Sequence, residues 1–144
     1  LVAVGRTAYN GNNPPKYLNA GFNWFKIKDI QGNWGNVRNN MTIKVEKSKP
    51  VLARVSVGNL QEATWLAPQK CDDTFGRVFL SSCNESEVVF EEPIGKDTPW
   101  LADVEIGSFE LTKKLNTAQT VICQMKAKDR AYFGEKLKFI ILPE

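Results

Sequence analysis

Between Val51 and Val57 the chain sets Val51, Ala53, Val55 and Val57 at alternate positions, against Leu52, Arg54 and Ser56. A period of two is that of a strand with one buried face, because successive side chains leave the backbone on opposite sides. Gly58-Asn59 interrupts the run, and Ala63-Thr64-Trp65-Leu66 resumes it, with Trp65 placed to cap a core between two sheets. Similar short runs recur at 41–47, 77–81, 87–90, 104–111, 119–127 and 136–142, and Ser48-Lys49-Pro50 turns the chain between two of them. Upstream, residues 1–4 and 6–9 read as an extended segment kinked at Gly5, and 10–16 as a Gly/Asn/Pro loop. Residues 21–30 form an aromatic-rich strand with Phe22 and Trp24 on one face and Phe25 and Ile27 on the other. A second Gly/Asn-rich loop, 31–40, carries Trp34.

No apolar pattern of period 3.6 persists for the length of a helix. Short strands separated by turn signals predict an all-β protein, an antiparallel β-sandwich of about eight strands. The 144 residues suit a single domain spanning 1–144, with 1–50 as an N-terminal extension or a hairpin on the sandwich. Pro93 and Pro99 make residues 92–99 a crossover between sheets, since proline cannot donate to a ladder.

Composition narrows the chemistry. The chain has no histidine, which excludes every Ser-His or Cys-His nucleophile within it. Its three cysteines lack a Cys-x-x-Cys pair, so neither a metal site nor a cofactor is expected. Cys71 and Cys83 bracket a loop and are either a disulfide or two free thiols. Cys123 shares a face with Val121, Met125 and Ala127 and reads as an inert core thiol. The 19 basic and 16 acidic residues are scattered, which does not make a nucleic-acid-binding face. No apolar run is long enough to span a membrane. Asn40-Met41-Thr42 and Asn84-Glu85-Ser86 are glycosylation acceptor patterns that fit a secreted or extracellular protein.

The aromatic residues carry the functional signal. Tyr17, Trp24 and Trp34 lie in or beside the two Asn/Gly-rich loops, and Trp100 lies on the crossover. Indole and phenol rings stack on the apolar faces of sugars, and asparagine amides both donate to and accept from hydroxyls. These four are therefore the candidate ligand-binding residues, although a large aromatic at a loop root also serves to plug an open core end. The carboxylates Asp72-Asp73, Glu91-Glu92 and Asp103/Glu105 are the acid–base candidates left. Neighbours on a strand face opposite ways, so Glu91 and Glu92 cannot flank one bond. Lys126 and Lys128 read as a solvated outer face.

From Val51 onward the order of motifs resembles an immunoglobulin-like accessory domain of bacterial carbohydrate-active enzymes. The matching features are Ala53-Arg-Val-Ser-Val-Gly-Asn-Leu-Gln-Glu-Ala-Thr-Trp-Leu66, Gly76-Arg-Val-Phe-Leu80, Glu92-Pro-Ile-Gly-Lys-Asp-Thr-Pro99 and Ala131-Tyr-Phe-Gly-Glu-Lys-Leu-Lys-Phe139. The Asn59 to Trp65 segment is also similar to the four-tryptophan immunoglobulin-like domain of selective-autophagy receptors, with Leu60 where that pattern has glycine. The resemblance implies an immunoglobulin-like fold and a non-catalytic module that binds carbohydrate or docks to a companion catalytic domain. A protein-interaction or structural domain without a carbohydrate ligand is the alternative.

Overall fold

The computed structural model describes residues 6–7, 17–68, 75–113 and 115–144. Among these the chain forms eleven strands and no helix. They are β1 (Arg6–Thr7), β2 (Ala20–Lys28), β3 (Trp34–Asn36), β4 (Thr42–Val45), β5 (Val51–Asn59), β6 (Ala63–Thr64), β7 (Val78–Ser82), β8 (Glu91–Pro93), β9 (Asp103–Thr112), β10 (Gln119–Ala127) and β11 (Ala131–Pro143). Nine of them make two sheets, of order β3-β2-β5-β9 and β4-β11-β10-β7-β8; β1 and β6 form a short parallel pair. The N-terminal extended segment and the 10–16 loop, apart from β1, lie outside the described residues, as does Cys71.

The core is the product of the alternation. Phe25, Ile27, Ala53, Val55, Val57, Val104 and Ile106 face inward from the four-stranded sheet, and Leu80, Val121, Met125, Phe139 and Ile141 from the other. Phe25 and Phe139 meet edge to face across the layers, with ring centroids 5.4 Å apart. Trp65 is completely buried and packs edge to face on Phe133 at 5.6 Å, as its placement in the sequence predicts. Cys123 is equally buried, and desolvation pushes its thiol well above the usual range. Cys83 carries a free, buried thiol.

Several expectations are corrected. There are more than eight strands, partly because the stretch read as a Gly/Asn loop contains β3: Trp34, Gly35 and Asn36 pair with Lys28, Ile27 and Lys26. Residues 87–90 are not a strand; pairing begins at Glu91 and ends at Pro93, on a sheet edge that tolerates a missing donor. The sandwich is not wholly antiparallel, since β4 runs parallel to β11. Alternation has the same period in either direction, so it carries no information about strand polarity. The described part of residues 1–50 supplies β2, β3 and β4, which are wired into both sheets.

Phe22 and Trp24 also lie on different faces. On β2, Phe22 opposes Val57 and Trp24 opposes Ser56, leaving Asn23 as an extra residue. This β-bulge turns Phe22 inward, edge to face with Phe25 at 5.9 Å, and Trp24 outward. A second bulge lies on β11, where residues 134–136 oppose the single Gln124 of β10. Gly134, at φ +80°, approaches Ala20 so closely that a Cβ would sit 2.7 Å from the Ala20 nitrogen. Only glycine fits that backbone and that contact.

At the far end of β5, Asn59 is fully buried and works as a fastener. Its side-chain Nδ2 donates to the carbonyls of Ala63 and Thr98, both at 2.9 Å, and its Oδ1 accepts from the Gln61 N–H. Its backbone N–H donates to Ala102 O and its carbonyl accepts from Leu101 N. The interruption read at Gly58-Asn59 is not one: both residues continue β5, opposite Gly21 and Ala20 of β2, and the strand ends only after Asn59, which joins two loops.

Candidate functional site

The outer face of the four-stranded sheet is built from alternate residues that do not enter the core. From β2 it takes Asn23, Trp24, Lys26 and Lys28; from β3, Trp34 and Asn36; from β5, Arg54 and Ser56; and from β9, Asp103, Glu105 and Glu110. Lys26 is in register with Asn36 on one side and with Arg54 on the other, and Lys28 with Trp34. This register brings two of the four sequence-predicted residues together. The guanidinium carbon of Arg54 lies 5.8 Å from the Trp24 ring centroid and 5.5 Å from that of Trp34, and Lys26 Nζ lies 4.7 Å from Trp24. All three separations are within cation–π range, so the cations favour the orientations in which the half-buried indoles lie. Glu105 answers the Arg54 charge at 3.6 Å.

Beside Trp24 the face opens into a cleft of about 540 Å³, between the β2–β3 edge of one sheet and β11 of the other. Trp24, Asn23, Lys26, Asn36, Arg38, Asn39 and Glu135 bring its polar and aromatic groups, over a floor that includes Phe22, Val37 and Leu137. The two bulges meet here. The β2 bulge sets Asn23 and Trp24 side by side, and Asn23 Nδ2 is tied to Ser56 Oγ at 3.1 Å and Asp103 Oδ1 at 2.9 Å. The β11 bulge carries Glu135 across to β2, where Oε1 accepts from the Phe22 N–H at 2.9 Å. Gln124 Nε2 donates to Gly134 O at 2.8 Å and steadies that bulge. Bulges are concentrated beside sites because they re-aim side chains that a regular ladder would bury or space apart.

Tyr17 and Trp100 are elsewhere. Tyr17 packs against the core just before β2, with its carbonyl accepting from Ala63 N. Trp100 is 54% exposed in the turn before β9 and next to Leu101, which is 74% exposed; the Leu101 N–H donates to Asn59 O. Leu60, 50% exposed, follows Asn59 directly. Trp100 and Leu101 thus lie in the turn before β9, while Leu60 leans over Gly21 on the β2 side of the same strand end.

The acid–base candidates have local duties. Glu91 is paired with Lys128 at 2.6 Å, and that hydrogen bond raises the lysine above its ordinary range. Glu92 is on the other side of β8, and burial raises its carboxyl. Asp103 accepts from Asn23 and Glu105 faces Arg54. Asp72 and Asp73 lie outside the described residues. Among the described residues, no group of three His, Cys, Asp or Glu side chains is arranged to hold a metal ion, and no helix is long and apolar enough to cross a membrane. The acceptor asparagines Asn40 and Asn84 are both exposed.

Arg38, Asn36, Asn39 and Glu135 escaped the sequence reading, as did the part played by Arg54. The one local signal was a glycine inside a strand pattern, Gly134, which marks a bulge or a close backbone approach. No family model matches the chain, and no curated protein or solved structure does so either.

Proposed function

We propose that the chain is a non-catalytic, immunoglobulin-like accessory module of an extracellular glycan-processing system, binding carbohydrate at Trp24 and Trp34. The observation that carries the proposal is the convergence of these two indoles on one outer sheet face, beside a polar cleft lined with asparagines. Flat aromatic surface next to amide donors and acceptors suits the alternating apolar and hydroxylated faces of a sugar chain. The strand order supports the immunoglobulin-like assignment: an inner β2-β5-β9 set packs on β7-β10-β11, as two antiparallel sheets do in that fold, with β4 added alongside the last strand. Exposed acceptor asparagines fit a secretory route.

Trp34→Ala is expected to weaken retention in affinity electrophoresis on a polysaccharide gel by roughly tenfold or more, the scale of one lost aromatic stacking contact. The melting temperature should fall by no more than a few degrees, because a surface cation–π contact contributes only about 0.5–1 kcal/mol. Unchanged retention in Trp24→Ala and Trp34→Ala alike would refute the assignment. The exposed Trp100 and Leu101 favour a second role at the turn before β9, docking to a companion catalytic domain or another protein.

A further inference from the structure

We infer that the cleft beside Trp24 takes an anionic glycan, one bearing carboxylate or sulfate groups, rather than a neutral one. The inference rests on the carbohydrate-binding role proposed above and specifies its ligand class. Three charged side chains line the cleft, Lys26, Arg38 and Glu135. Glu135 accepts from the Phe22 N–H through Oε1 and keeps its negative charge, so two cations face one anion in the lining. Neither Lys26 nor Arg38 forms an ion pair among the described residues, whereas Arg54, outside the cleft, is answered by Glu105.

The uncommitted polar atoms point to the same ligand. Asn39 Oδ1 accepts from Lys138 N–H at 2.9 Å, which leaves the amide NH2 as its remaining polar group. Asn23 has its own NH2 engaged with Ser56 and Asp103. What the cleft offers a ligand is therefore two cationic donors, an ammonium and a guanidinium, together with the Asn39 amide, against the acceptor oxygens of Asn23, Asn36 and Glu135. A ligand that supplies acceptors, and negative charge among them, pairs with both cations, while a neutral sugar gains no charge pairing with them. The guanidinium fork matches carboxylate or sulfate oxygens in a bidentate arrangement, and Lys26 adds a second positive point beside the ring on which the sugar stacks.

The test compares the full chain on polygalacturonate, a sulfated galactan and a neutral glucan, by affinity electrophoresis at low and high salt. Retention is expected on an anionic gel and not on the neutral one, and it should fall as salt rises because screening weakens charge pairing. Arg38→Gln and Lys26→Gln should each lose about tenfold or more in affinity for the anionic ligand, and Arg38→Lys should recover part of it. Which of the two anionic gels retains the chain tells carboxylate from sulfate. Circular dichroism of each variant confirms the fold, and the salt series on the unaltered chain stands even if a variant fails to fold. Equal retention on neutral and anionic gels, insensitive to salt and to Arg38→Gln, would overturn the inference while leaving the carbohydrate role intact. Retention on none of the three overturns both.

Discussion

Replacing Trp65 with alanine is expected to lower the free energy of unfolding by roughly 3–5 kcal/mol, the range for deleting a large buried aromatic. Trp65 has no exposed surface, packs on Phe133, and exchanges both backbone hydrogen bonds with Thr98 at 2.9 Å. It thereby pins the crossover loop to the end of the core. Its indole Nε1 has no hydrogen-bond partner among the described residues. Trp65→Phe removes that orphaned donor together with part of the apolar area, so it should cost distinctly less than the alanine variant. A domain of ordinary stability has only about 5–15 kcal/mol in all. Urea unfolding therefore resolves the difference as a shift of midpoint at nearly constant slope. A loss under about 1 kcal/mol for Trp65→Ala would mean that the tryptophan is not the end-plate of the core.

Asn59 is the second residue whose loss should be felt throughout. Asn59→Leu strips a buried donor from the Ala63 and Thr98 carbonyls, the latter keeping only the Trp65 N–H, and an acceptor from the half-buried Gln61 N–H. Each buried group left unpaired costs about 1–3 kcal/mol, so a total of roughly 3 kcal/mol is expected after partial relaxation. Asn59→Asp gives a pH signature. Burial would raise that carboxyl above its unfolded value, so the neutral form, still able to donate one hydrogen bond, is favoured at low pH. Its stability should be highest below the unfolded carboxylate range and fall as pH rises through the raised folded value, a dependence that the leucine variant lacks. Because Leu101 and Ala102 are also bonded to the Asn59 backbone, proteolysis should open the 98–102 turn first in both variants.

Much of this sandwich was legible in period-two alternation. Val51, Ala53, Val55 and Val57 face the core as read, and so do Val121, Cys123, Met125 and Ala127. Alternation fails where one residue is inserted. Asn23 shifts every earlier residue of β2 to the other face, and nothing in Gly21-Phe22-Asn23-Trp24 announces the insertion, because asparagine is as ordinary in a loop as in a bulge. The sequence marks Trp34 as a candidate but on a loop, because Gly35 and Asn36 disguise a short strand that pairs with the edge of β2. Arg54 reads as a solvated position on β5, and its seat between two indoles depends on cross-strand register. Arg38 and Glu135 come to the cleft from segments 97 residues apart, through the long-range pairing of the two sheets. The aromatic components of the site were visible, then, and the cations that orient them were not.

The most direct measurement uses the four tryptophans as reporters. In a 15N-labelled sample the four indole N–H signals are assigned by single Trp→Phe variants and followed during titration with a polygalacturonate oligomer, a sulfated one and, for comparison, a neutral glucan oligomer. The signals of Trp24 and Trp34 should shift in a saturable way, while those of buried Trp65 and of Trp100 in the turn before β9 stay in place. A titration that moves Trp100 alone, or leaves all four signals unmoved with acidic and neutral oligosaccharides alike, would contradict a carbohydrate platform at Trp24 and Trp34.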